Sequence, residues 1–292
     1  EPLLDLIISE IPAPTGDNTK ELQFQPALLD YNEFVGRIGI GRVHNGEIHT
    51  GEMVNCVRLD GTTKAFRIQK LFGYYGYSRV EIDHAEAGDI VAIAGLADIS
   101  VGETICEQGK VSPLPVLHID EPTLQMTFAT NNSPFVGKEG KFLTARQIED
   151  RLNKELQRDV SLRVEQLDGE SFLVSGRGEL HLSILIENMR REGYELAVSK
   201  PEVILHEDEN GIKVEPIEEV VCIAPSEYQG TIINKLNLRK GVMVNLEEEN
   251  GYDRITYTAP TRGLLGFRSE FINDTHGEGT LVRRICGYEP YK

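Results

Sequence analysis

The 292-residue chain contains no apolar run approaching 18 residues, so no stretch of it reads as a membrane-spanning helix. It opens on Glu1-Pro2 and an amphipathic stretch, without a charged-then-apolar leader, so no secretory signal is expected. Cysteine is scarce: Cys56, Cys106, Cys222 and Cys286 lie far apart, each in an apolar, strand-like run. They predict buried, reduced thiols in a cytoplasmic protein. No close Cys/His pairs exist to hold zinc, and no metal site is expected. Positive charge is short as well, with 30 Lys and Arg against 47 Asp and Glu and a net charge of −17. That balance repels phosphate and excludes a generally basic nucleic-acid binder.

The signatures of common enzymes are missing too. No G-x-x-x-x-G-K-[ST] phosphate loop occurs, and Gly137-Lys138-Glu139-Gly140-Lys141 is too short and ends in Phe142. Asn234-Lys235-Leu236-Asn237 and Asn153-Lys154-Glu155-Leu156 lack the Asp that would bond a guanine. His206-Glu207-Asp208-Glu209-Asn210 lacks the second His of a helical zinc site and reads as a charged, solvated turn. No Ser/His/Asp or Cys/His arrangement can be assembled. The chain is therefore expected to have no catalytic residues and no cofactor of its own.

What is present is ordinary globular material, 40% hydrophobic and 26% charged, long enough for two or three domains. Leu3, Leu4, Ile7, Ile8 and Ile11 share one helical face before Pro12 and Pro14 end the helix; residues 1–20 read as a linker whose apolar face wants a partner. Residues 21–118 read as all-β. Asn45-Gly46 and Asp60-Gly61 separate short strands, and many such strands without helices predict a closed barrel. Gly36-Arg37-Ile38-Gly39-Ile40-Gly41 reads as a strand whose glycines permit bending and close packing. Residues 119–205 run β-α-β-β-α-β. Ile148, Leu152 and Leu156 line the first helix, and Leu182, Leu185, Ile186 and Met189 line the second. Residues 206–292 repeat that order around an Asn250-Gly251 hairpin. The predicted fold class is multidomain β and α+β: a β-barrel followed by two ferredoxin-like βαββαβ domains.

Each third of the chain is acidic, but the last is patchy. Residues 228–245 hold Lys235, Arg239 and Lys240 and no acid; residues 254–269 hold Arg254, Arg262 and Arg268 and no acid. Phosphate contact, if any, is expected at such edges. Gly176 and Gly178 stand at a strand-to-helix turn where a positive φ or a close approach is expected, and Glu179 at the helix start suits the dipole. His181 reads as an ordinary helix residue.

Three longer stretches carry a resemblance. Residues 30–54, with Gly36-Arg37-Ile38, Arg42-Val43 and Gly46-Glu47-Ile48, resemble the β-barrel domain II of translational GTPases. Gly176-Arg177-Gly178-Glu179-Leu180-His181-Leu182 looks like the G-x-G-E-L-H-L signature of their domain III. Residues 259–279, with Pro260-Thr261-Arg262-Gly263-Leu264-Leu265-Gly266-Phe267-Arg268, resemble domain V. The first α+β unit runs through Lys200-Pro201-Glu202 almost directly into the second, unlike elongation factor G, where a further domain intervenes. The whole chain thus resembles the TypA/BipA family, with a LepA-like factor as the alternative.

The resemblance implies domains II, III and V of a ribosome-dependent GTPase involved in stress response and 50S subunit assembly, with residues 1–20 as the helix and linker leaving a G domain and the end of 206–292 as the start of a C-terminal domain. GTP and Mg²⁺ would belong to a G domain outside these residues. It implies a cytoplasmic, monomeric protein, off the membrane, whose partners are rRNA and ribosomal proteins. Domain II would face the small subunit and domain V the stalk base of the large one. By position, Arg37, Arg42, Lys235, Arg239, Lys240, Arg262 and Arg268 are the expected rRNA contacts, and the motif Gly176, Gly178, Glu179 and His181 would join domains. Two other classes compete: an enzyme with its site in a polar cleft, and a protein-interaction scaffold without RNA contact.

Overall fold

In a computed structural model, residues 1–117, 119 and 121–291 are described. Its contacts divide the chain into two compact units, Glu1–Asp120 with Glu149–Val160 and Glu121–Ile148 with Ser161–Lys292.

The first unit opens with helix α1 (Pro2–Glu10), which buries none of its residues. The strands follow: β1 (Gln23–Asn32), β2 (Gly36–Asn45), β3 (Glu47–His49), β4 (Met53–Val57), β5 (Thr63–Arg67), β6 (Lys70–Tyr75), β7 (Ser78–Glu81), β8 (His84–Glu86), β9 (Ile90–Ala94) and β10 (Thr104–Glu107). Eight of them form one antiparallel sheet in the order β5-β4-β10-β1-β2-β9-β6-β7, and β3 pairs with β8. The expected closed barrel is not found: among the described residues the hydrogen-bonded path has two ends. The end strands explain this. β5 and β7 are short, mostly solvent-exposed and charged, so no apolar surface drives them to pair. The sheet nevertheless encloses one core. Phe24, Val43, Ile48, Val54, Phe66, Leu71, Ala85, Ile93 and Ile105 form a single buried cluster drawn from nine strands. The glycine-rich β2 packs as expected, since a Cβ at Gly41 would collide with the Gln25 carbonyl oxygen.

In the second unit and the helix that bridges the division, chain order is β11 (Leu124–Thr130), α2 (Ala145–Leu156), β12 (Arg163–Gln166), β13 (Ser171–Gly176), α3 (Glu179–Glu192) and β14 (Leu196–Val198). The sheet order is β12-β13-β11-β14, with β15 (Glu202–Val203) also paired to β11. α2 starts on a capping box: Gln147 N–H donates to Thr144 Oγ1 at 3.3 Å, and Thr144 N–H donates to Gln147 Oε1 at 3.0 Å. α3 buries Leu182, Leu185 and Met189 and ends at Gly193, whose φ of 96° is left-handed.

The second repeat comprises β17 (Lys213–Pro225), α4 (Gln229–Leu238), β18 (Val242–Glu249), β19 (Tyr252–Pro260), α5 (Phe267–Asp274) and β20 (Thr280–Pro290). Its sheet runs β18-β19-β17-β20, the same spatial order as the first repeat. Asn250 and Gly251 both have positive φ, 54° and 81°, the geometry of a two-residue hairpin turn. α4 and α5 pack Ile232, Leu236, Phe267 and Phe271 against Val220, Ile255 and Tyr257 of the sheet.

Besides the barrel, two further expectations are corrected by the structure. The acidic joint is only partly a turn: His206–Glu207 forms β16 against β17, because Asp208 accepts the N–H groups of Asn210 and Ile212 and closes a tight hairpin. Cys56, Cys106 and Cys222 are buried, but Cys286 is exposed, because alternate residues along β20 face solvent. All four thiols are free.

Candidate nucleic-acid interface

The cations singled out by sequence differ in exposure, and several are tied to the protein's own acids or carbonyls. Arg37 on β2 is one of the tied ones. Its Nη1 donates to the Ile99 carbonyl at 3.1 Å and its Nη2 to the Leu156 carbonyl at 3.2 Å. Burial pushes its pKa down, and its Nε is buried with no hydrogen-bond partner. A cavity of about 410 Å³, lined by Tyr31, Asp150, Asn153 and Lys154, adjoins it. Arg42, on the same strand, donates to the Thr15 carbonyl and stays half-exposed.

In the last repeat the acid-free stretches of sequence are supplied with acids from elsewhere. Lys235 on α4 meets Asp274 at 2.6 Å and Glu270 at 3.2 Å, both on α5. The hydrogen bond to Asp274 raises its pKa. Arg239 donates to Glu270 at 2.8 Å and to the carbonyls of Gly263 at 2.6 Å and Leu265 at 3.2 Å, with its guanidinium over the Phe267 ring. Hydrogen bonds from Arg239 and then Lys235 hold the Glu270 carboxyl below its usual range. Arg262 makes a two-point contact with Glu215, at 3.0 and 3.1 Å, and lies 4.6 Å from the Tyr291 ring centre. Glu215 is only 1% exposed, and its bond to Arg262 raises the arginine's pKa. Thus Arg239 and Arg262 brace the segment between β19 and α5, and Lys235 ties α4 to α5 itself.

Lys240 and Arg268 are the exposed ones. Lys240 is exposed just past α4, with a left-handed φ of 62°. Arg268, in the first turn of α5, is exposed and has no hydrogen bond or ion pair among the described residues.

The motif at residues 176–181 is placed at a junction between the two repeats. A Cβ at Gly176 would lie 2.8 Å from Leu182 Cδ2 and 2.9 Å from His181 Nδ1, so any side chain there would push these two side chains aside. Gly178 differs from expectation: its backbone is fully extended and no atom lies within 4 Å of a built Cβ. His181 Nδ1 accepts the Arg177 N–H at 3.1 Å, closing the turn into α3. Glu179 reaches across to the second repeat. Its Oε1 accepts the Gly266 N–H at 3.0 Å, and its Oε2 lies 3.6 Å from Arg283. Arg283 in turn makes two bonds to Glu218, at 2.8 and 2.9 Å. Sequence inspection missed Arg283 and Glu218. Their only signal was a buried-strand position occupied by a charge on each of two strands that pair.

Comparison with known proteins matches residues 36–106 to the elongation factor Tu domain 2 family and residues 212–292 to the elongation factor G C-terminus family. The chain is 54% identical over 99% of its length to the large ribosomal subunit assembly factor BipA of Bacillus subtilis. It is 49% identical to the protein of that name from Synechocystis and 48% identical to that of Escherichia coli K12, again over 99% of its length. It spans about half of each relative, 48–49%. A crystal structure of a Thermus thermophilus protein matches 99% of the chain and 59% of its own with a TM-score of 0.61 at 16% identity, a likeness of fold alone. The relatives favour the TypA/BipA resemblance over the LepA-like one. Near-complete matching at such identity, together with family matches at both ends of the sequence, places the chain in the TypA/BipA family of translation factors.

Proposed function

We propose that this chain is the ribosome-engaging part of a TypA/BipA-type GTPase that serves assembly of the large ribosomal subunit. The observation that carries the proposal is the 54% identity to a large ribosomal subunit assembly factor over almost every residue present. Residues 21–118 act as the barrel-like domain II, 119–205 as a ferredoxin-like domain III and 206–292 as a ferredoxin-like domain V, with 1–20 as linker. GTP, Mg²⁺ and hydrolysis are assigned to a G domain outside these residues, and the chain itself performs no chemistry. It works in the cytoplasm as a monomer, with rRNA and ribosomal proteins as partners and a parent role in stress response.

Lys240 and Arg268 are the exposed cations that phosphate can approach, with Arg42 half-exposed and held at the Thr15 carbonyl; Arg37, Lys235, Arg239 and Arg262 hold the surfaces that present them. The test is co-sedimentation of the chain with 30S and 50S subunits at about 50 and 200 mM salt, where phosphate contacts weaken steeply. Binding at low salt that falls with salt, and falls further in Lys240→Ala/Arg268→Ala, is expected. Absence of sedimentation with either subunit at low salt would overturn the proposal.

A further inference from the structure

Residues 131–143, between β11 and α2, are organised around one carboxylate. Glu195, just before β14, accepts Asn131 Nδ2 at 2.6 Å and the main-chain N–H groups of Gly137, Glu139 and Gly140 at 3.0, 3.2 and 3.0 Å. The hydrogen bond from Asn131, with those from the backbone, holds its carboxyl below the usual carboxylate range. Lys141 and Phe142 donate their N–H groups to the Gly193 carbonyl, Glu195 returns a bond to the Phe142 carbonyl, and Phe142 packs on Tyr194. A Cβ at Gly140 would fall 2.6 Å from Glu195 Cβ and 2.9 Å from the Gly193 carbonyl oxygen. The loop can close this tightly only with glycine there.

An ordered loop ordinarily turns its apolar side chains inward. This one leaves Phe135 65% exposed and Val136 46% exposed at its tip. Lys138 Nζ sits 4.8 Å from the centre of the Phe135 ring, and Lys141 is exposed on the same loop. An aromatic face held in water by a rigid frame, with ammonium groups beside it, suits a ligand that offers both a flat π-surface and negative charge. Unpaired nucleotides offer both. An apolar protein pocket would accept the ring but has no use for the lysines. Pre-ordering the loop removes part of the entropic cost of docking.

We propose that the 131–143 loop is an RNA-contacting finger, in which Phe135 stacks on an unpaired base of ribosomal RNA while Lys138 and Lys141 meet the flanking phosphates. The proposal rests on the ribosome-binding function above and names one of its contacts.

The chain contains no tryptophan, so Phe135→Trp creates a single fluorescent reporter at the tip. Titration with protein-free rRNA extracted from 30S and from 50S subunits should quench its emission saturably, by about twofold or more. Phe135→Ala and Phe135→Leu should each weaken rRNA binding about tenfold, as loss of one stacked base does. Leucine keeps the apolar bulk, so a protein pocket would tolerate it. If rRNA leaves the emission unchanged while Phe135→Leu sediments with ribosomes as the parent chain does, a ribosomal protein takes the ring and the RNA proposal is overturned, although ribosome binding stands. If neither subunits nor rRNA bind the parent chain, both proposals fall.

Discussion

Arg262 shows how the meaning of a residue depends on partners far away in sequence. In sequence it is a cation in an acid-free stretch. In the structure it neutralises Glu215, a carboxylate almost fully buried on β17. Arg262→Ala removes the two-point contact from that buried carboxylate, and weakening the pairing of a buried ion is costly. The expected loss is about 2–3 kcal/mol, moderated because Arg262 is itself a third exposed, and it is measured as a shift in the urea midpoint at unchanged m-value. A shift within error would show that water already screens the pair. The thiols make a second case. Burial pushes Cys56 and Cys222 up to about 12, and Cys106 is also buried and raised. Cys286 is raised as well, by partial burial, but it alone stands on an exposed strand position. Brief alkylation of the native chain at pH 8 should therefore label Cys286 alone, and denaturation should release the others. Mass spectrometry of the labelled peptides distinguishes this from uniform labelling.

At the scale of elements, Glu179 joins α3 of one repeat to the turn before α5 of the next. An N–H bonded to a carboxylate is one of the stronger hydrogen bonds, and here it fixes a glycine with φ of 74° at the start of α5. Glu179→Ala should cost about 1–2 kcal/mol and raise amide exchange at Gly266 above that of the amides within α4. Equal exchange at Gly266 in the parent and the variant would mean that the bond carries no weight. The elements themselves were legible from local signals. Ile148, Leu152 and Leu156 at helical spacing marked α2, and Asn250-Gly251 marked the β18–β19 hairpin. What local pattern could not give was pairing between distant strands. Glu218 and Arg283 are 65 residues apart and meet only because β17 and β20 lie side by side. The same limit hid the exposure of Cys286 and the open ends of the first sheet. Apolar runs read as buried strands, whereas the edge position of β5 and β7 follows from which strands find partners.

At the scale of the whole chain, the net charge of −17 constrains how RNA can be met. Much of the positive charge is already paired internally: Lys235, Arg239, Arg262, Arg283 and Arg284 all hold carboxylates. The cations argued to face RNA are Arg42, Lys138, Lys141, Lys240 and Arg268. Each phosphate neutralised releases condensed counterions and steepens the fall of log affinity with log salt by about 0.7–0.9. Even if all of these cations engage, the slope should be about −4 or shallower. Salt also screens the repulsion between the acidic surface and RNA, which flattens the dependence further. Titrating rRNA into the chain between about 50 and 200 mM salt measures the slope directly. A slope near −8 would require the internally paired arginines to exchange their carboxylates for phosphate on binding. In that case Arg262 and Arg239 would move from braces of the fold to contacts of the interface. Arg262→Gln, which removes the positive charge, would then lower the slope by about 1, an effect that bracing alone cannot produce.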